Sequence, residues 1–172
     1  MTRLYVDATT LVSLGTVNRL ALLDAFDGPA VVLPAVVDEG TTEPARRNLD
    51  RAIESSLLSV GETPSAAAVT EAQSVLDTTA VDGDVQIIAS VLSARDRDEA
   101  VGVVSDDRRV RVVSRGVGAE VTGTIGVVVR AVAEGMPASE AKELVRDIDS
   151  HGLHMTAELR EKAETLIDSA AE

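Results

Sequence analysis

Two adjacent carboxylates, Asp106 and Asp107, follow a short apolar run, Val101 to Val104, and one serine, Ser105. The run reads as a strand buried on both faces, and its C-terminal end is where open α/β sheets bind ligands. Residues 3–9 repeat the design with an apolar strand, then Asp7, then Thr9. If both strand ends feed one acidic pocket, its donors are hard oxygens. Without histidine or cysteine, such a set selects Mg²⁺ or Mn²⁺. One or two of these ions can activate water and brace the leaving oxygen of a phosphodiester. Thr9 and Ser105 are placed to orient the carboxylates or to hold a water on the metal.

Every one of these acids also has a structural account. Asp7 can cap a helix or sit in a turn, and Asp106 and Asp107 can serve as N-cap and first-turn acid of the segment that follows. Asp84, in a helix starting after Asp82, shares a face with Ile87, Ile88, Val91 and Leu92. That face must point inward, where an unpaired carboxylate is costly. The alternative is a first-turn acid complementing the helix dipole. Asp38 and Glu39 end the segment VVLPAVVDEG, and from the residues alone a solvated helix end accounts for both.

Arg108, Arg111 and Arg115 fall on one helical face, with Val110 and Val113 on the other. Such a face can steer phosphates toward an acidic metal pocket, or simply pair with an acidic surface. His151 and His154 are the only histidines and read as surface or packing residues. Gly123-Thr124-Ile125-Gly126 lacks the spacing of either nucleotide fingerprint and reads as a tight turn from strand into helix.

The elements that position these residues alternate. Strands are expected at 3–7, 30–33, 57–60, 101–104 and 119–122. Helices are expected from Thr9 or Thr10 to Leu14, over 17–26, 34–39, 45–55, 64–76 (capped by Thr63), 83–94, 107–115 and 124–133. Gly40 to Pro44 breaks the pattern, and two terminal helices, 137–150 and 156–170, flank His151-Gly152. The alternation implies a doubly wound parallel sheet. We expect a domain over 1–135, with a helical C-terminal extension over 136–172 packed on it.

With 172 residues, 45% of them hydrophobic, the chain can bury a core, and with Tyr5 and Phe26 as its only aromatics that core is aliphatic. There is no cysteine, so disulfides and thiolate metal sites are excluded. No run is long enough to span a bilayer and no signal pattern precedes Arg3, so a soluble cytoplasmic protein without membrane partners is expected. A net charge of −13, with lysine only at Lys142 and Lys162, looks like a halophilic protein. In molar salt the Debye length falls to roughly 3 Å, which relaxes the self-repulsion. The charge argues against indiscriminate nucleic-acid binding while leaving room for a locally basic groove.

Taken together, VDATTL (6–11), LPAVVDE (33–39), DGDVQIIA (82–89), VVSDDRRVR (103–111) and VTGTIGVVVRA (121–131) resemble the PIN-domain superfamily. The resemblance is strongest to its prokaryotic nucleic-acid-binding branch, related to the VapC-type toxin nucleases, and HGLHMTAELREKA carries it into the terminal helices. It implies a PIN-like parallel sheet sandwiched by helices and a metal-dependent ribonuclease. By position it implies Asp7, Glu39, Asp84 and Asp107 as the acids, with Thr9 as the accompanying hydroxyl. In that branch the third acid is often Glu, so Asp84 is a shorter-reaching substitute. The fourth acid falls on the Asp106-Asp107 pair; Asp107 fits the hydroxyl-x-Asp pattern better, and either can be the metal ligand. The resemblance also admits RNA as substrate, a small antitoxin as partner and a homodimer.

Two other classes compete. A non-catalytic nucleic-acid-binding or regulatory module is favoured by the acidic surface and the absence of aromatic stacking platforms. Phosphoryl transfer of the haloacid-dehalogenase or receiver type is disfavoured. The first wants a second Asp where Thr9 stands, and the second wants a lysine near the last strand.

Overall fold

A computed structural model describes residues 1–39, 42–151 and 153–172. Of the breaks expected at 40–44 and 151–152, Gly40, Thr41 and Gly152 lie outside the described residues. The chain forms β1 (Arg3–Val6), α1 (Ala8–Thr16), a 3-10 segment (Leu20–Ala25), β2 (Ala30–Val32), α2 (Pro34–Glu39), α3 (Ala45–Glu54) and β3 (Ser59–Val60). Then follow α4 (Ala66–Leu76), α5 (Gly83–Asp96), β4 (Val101–Val104), α6 (Arg108–Val117), β5 (Glu120–Thr122), α7 (Thr124–Ala133), α8 (Ala138–His151) and α9 (Ala157–Ala170).

The five strands pair in the order β3-β2-β1-β4-β5, and every pairing is parallel. From β1 the chain steps outward through β2 to β3, then returns past β1 to β4 and on to β5. Strand order therefore reverses between β1 and β4, the switch point of the sheet. Right-handed crossovers in opposite directions put the connecting helices on opposite faces. One layer is α4, α5 and α6; the other gathers α1 and α3 with α7, α8 and α9, the last two packing on α7. The central strands are buried on both faces, as the continuous apolar runs imply, while the edge strand β3 is exposed.

The core is aliphatic, as composition dictates, with Tyr5 buried in β1 and Phe26 partly buried at its margin. Helix α5 lies inside it: Val85 to Leu92 and Ala94 are all buried. Burial round the whole helix, Gln86 and Ser90 included, leaves this stretch no outward face.

Local differences from the expected elements have local causes. Asp7, rather than Thr9 or Thr10, caps α1 by accepting from the Thr10 N–H. Asn18 adopts a left-handed φ of 55°, which ends α-helical winding, so only a 3-10 segment follows where an α-helix was expected over 17–26. Leu58 donates its N–H to Ala52 at the end of α3, which delays β3 to Ser59. Ser65, rather than Thr63, caps α4.

Because Ile88 is fully buried, Ile88→Ala should lower stability by about 2–5 kcal/mol in urea unfolding, with an unchanged m value.

Candidate active site

The β1–β4 register opposes Val6 to Val104. Asp7 and Ser105 therefore leave the sheet side by side at the switch point, and the Asp7 N–H donates to the Val104 carbonyl at 3.0 Å. Above them lies a pocket of about 390 Å³ lined by Asp7, Thr9, Glu39, Asp82, Asp84 and Asp107, with Ala8, Val36 and Gly83.

Asp7 is only 4% exposed. Its Oδ1 accepts from the Thr10 N–H at 2.8 Å and its Oδ2 from the Asp106 N–H at 3.3 Å. Burial pushes its carboxyl above the usual range; the Thr10 N–H and the Ser105 and Thr10 hydroxyls pull against that, and the Asp106 charge adds to it. Ser105 is fully buried, and its Oγ accepts from the Asp107 N–H at 3.1 Å.

Glu39 reaches the pocket from the end of α2. Its Oε1 accepts from the Gly83 N–H, the first of α5, at 2.7 Å. Position 83 needs glycine for this: a β-carbon there would stand 3.1 and 3.2 Å from the two Glu39 oxygens and 2.7 Å from Val36 Cγ2. In return, Gln86 of α5 accepts from the Ala35 N–H in the first turn of α2 at 3.0 Å. The start of α5 thus holds both ends of α2, across 44 and 51 residues of chain.

Asp84 is half-buried in the first turn of α5. Burial pushes its carboxyl up to about 6, with the charges of Asp107, Asp82, Asp7 and Glu39 adding to the effect. The helix dipole favours its ionised form, yet desolvation and like charge prevail. Asp84 sits on the same helical face as the buried Ile87, Ile88 and Val91, at the end of α5 that opens on the pocket.

The structure separates Asp106 from Asp107. Asp107 lines the pocket while its Oδ1 caps α6 through the Val110 N–H at 2.9 Å. Asp106 does not line it. Its Oδ1 accepts from the Thr124 N–H at 3.0 Å and its Oδ2 from the Thr124 hydroxyl. Thr9 is exposed at the pocket's edge. Asp82, which the sequence marks only as the residue before a helix, caps α5 through the Val85 N–H and lines the pocket as well. Its position two residues before Asp84 was the available signal.

Arg108 and Arg115 are exposed and Arg111 is half-buried on α6, with Val110 and Ser114 inward. Among the described residues no carboxylate lies within 4 Å of these three guanidiniums, although the chain carries 29 acids. Neither histidine lines the pocket: both are exposed, and the His151 ring bonds the Asp147 carbonyl. A larger groove, about 450 Å³, runs over β2 and β3 past Arg3, Tyr5 and Arg97. Glu99 grips Arg97 with both oxygens, and Glu62 is also in the lining, so positive charge there is balanced.

The donor set fits a hard divalent cation in its chemistry: carboxylate oxygens crowded until one is held partly protonated. As placed, no three acidic or histidine side chains among the described residues converge closely enough to coordinate one ion. No helix described is long and apolar enough to cross a membrane.

An all-parallel α/β sandwich with a carboxylate pocket at its switch point is the frame of a ligand-binding α/β domain. A family model described as a PIN domain matches residues 4–169, and the chain belongs to that family. PIN domains are typically nucleases that use divalent metal ions. No curated protein matches the chain.

The raised Asp84 carboxyl has a signed consequence for the metal-free protein. The folded state binds the proton more tightly than the unfolded one, so Asp84 lowers stability as pH rises from about 4 through about 6 and beyond that adds nothing further. Asp84→Asn should therefore raise stability at pH 8 by on the order of 2 kcal/mol in urea unfolding and flatten that stretch of the pH profile.

Proposed function

We propose that this protein is an endoribonuclease dependent on Mg²⁺ or Mn²⁺, with Asp7, Asp84 and Asp107 as the groups that would hold the cation. The observation that carries the reading is the gathering of Asp7, Glu39, Asp84 and Asp107, from four separate parts of the chain, in one pocket at the switch point. A bound cation supplies Lewis acidity, lowering the pKa of an attacking water and stabilising the leaving oxygen. Asp7 is fixed by two backbone N–H donors, and Ser105 Oγ fixes the Asp107 N–H beside it. Asp84, poised near pH 6, sheds its proton on meeting positive charge. Glu39 keeps Oε2 free of the Gly83 bond and faces the same space, where it can accept a proton or orient water. Thr9 stands at the rim, where a phosphate oxygen would enter. No protein nucleophile is required.

The α6 arginines supply the electrostatics for substrate approach. They run along α6 from its first turn to its last, and among the described residues none pairs with a carboxylate, an arrangement suited to an RNA backbone. A second reading, a nucleic-acid-binding module without catalysis, draws on the separation of the acids as placed. Calorimetry with Mn²⁺ distinguishes the two, because the module would bind no divalent ion at the pocket.

Purified protein in high salt with Mn²⁺ should cleave single-stranded or structured RNA. Asp7→Asn should slow cleavage by more than about 100-fold, beyond what the loss of a merely supporting group costs. RNA that is left intact by the parent chain, or cut equally by both proteins, refutes the reading. The Arg108→Ala, Arg111→Ala, Arg115→Ala triple variant should weaken RNA binding about equally across sequences. It should also reduce the slope of log K against log salt by up to about 2, at roughly 0.7 per phosphate contact on single strands.

A further inference from the structure

Asp106 begins as a metal-ligand candidate by its place after β4, yet its carboxylate is turned away from the pocket and fully engaged elsewhere. Its two oxygens take the N–H and the hydroxyl of Thr124, whose N-cap residue, Gly123, offers no side chain of its own. The Thr124 hydroxyl lies 3.1 Å from that of Thr10, and both threonines are fully buried. Thr10 in turn gives its N–H to Asp7 Oδ1, and Asp106 gives its own N–H to Asp7 Oδ2. The result is a closed ring: Asp7, Thr10, Thr124, Asp106 and back to Asp7. Four elements meet in it, the ends of β1 and β4 and the starts of α1 and α7.

Space for the ring is reserved in the sequence. A β-carbon on Gly123 would stand 2.5 Å from Asp106 Oδ1, so a side chain there would displace the carboxylate from its Thr124 bonds. The glycine of the Thr122-Gly123-Thr124 turn is thus a seat for Asp106.

From this geometry we infer that Asp106 is a positioning residue for Asp7: it aims the Asp7 carboxylate into the pocket by clamping β4 to α7 through Thr124. The inference rests on the metal-dependent reading only for its consequence, since the ring itself exists without an ion. An Asn at 106 keeps an oxygen for the Thr124 N–H and offers an N–H to the Thr124 oxygen, so it preserves the clamp while removing the charge. Loss of such a supporting shell typically weakens metal binding about 10–100-fold.

The experiment measures binding of Mn²⁺ alone by calorimetry to the full chain and to Asp106→Asn, Asp106→Ala and Gly123→Ala. Amide exchange of the metal-free proteins is measured in parallel. The expected result is that Asn binds within about threefold of the parent, while Ala and Gly123→Ala both weaken binding about tenfold or more. Gly123→Ala matters because it leaves the Asp106 carboxylate in the chain. Asn weakening binding as severely as Ala overturns the inference in favour of direct ligation. Unchanged binding in Ala overturns it as well. If the parent itself binds no Mn²⁺, the metal-dependent reading fails and the exchange data decide the clamp. Protection of the Thr10 and Asp106 amides should then fall about tenfold in Asp106→Ala and be retained in Asn, with Val128 inside α7 unchanged. Equal protection in all variants refutes it.

Discussion

Like charges crowded at one rim of a sheet repel one another, and the rest of this structure answers that repulsion with helix N-termini. Four helices begin around the site, and each start is met by an aspartate: Asp7 for α1, Asp82 for α5, Asp107 for α6 and Asp106 for α7. Unpaired N–H groups and the positive ends of four dipoles offset part of the cost of gathering the acids. Asp84, which caps nothing, is pushed up to about 6, and burial raises Asp7 too despite its cap. The structural and chemical roles of these acids are thus the same arrangement. Asp82 and Asp107, each held at a helix start by Oδ1, keep the other oxygen for a ligand.

This explains how much could be read from the chain alone. The apolar runs at 3–6 and 101–104 showed two buried parallel strands, and Asp7 and Asp107 followed at their ends. The α7 boundaries, Thr124 to Ala133, were legible too, because glycine and threonine punctuate an apolar helix there. Capping and site membership could not be weighed against each other by spacing, since here the two coincide. For Asp84 the sequence offered an inward apolar face or a first-turn place, and the structure has both: the face is buried and the first turn opens on the pocket.

What stayed illegible depends on meetings across distance. Glu39 reads as a solvated helix end until Gly83 is known to lie against it, and the family resemblance, rather than the residues, singled it out. The division of labour between Asp106 and Asp107 turns on where Thr124 lands, 18 residues downstream of Asp106. Nothing in the local pattern distinguishes two neighbouring aspartates. The 3-10 segment is a subtler case, where apolar spacing suited a helix and one left-handed asparagine overrode it.

The chain's single tyrosine, Tyr5, is 3% exposed in the central strand, two residues before Asp7, and there is no tryptophan. Its phenol stands beside the Arg3 guanidinium. Ultraviolet emission from the unlabelled protein therefore comes from one fluorophore at the heart of the sheet. Any rearrangement or melting of that strand is readable optically, without a probe and without competing signal.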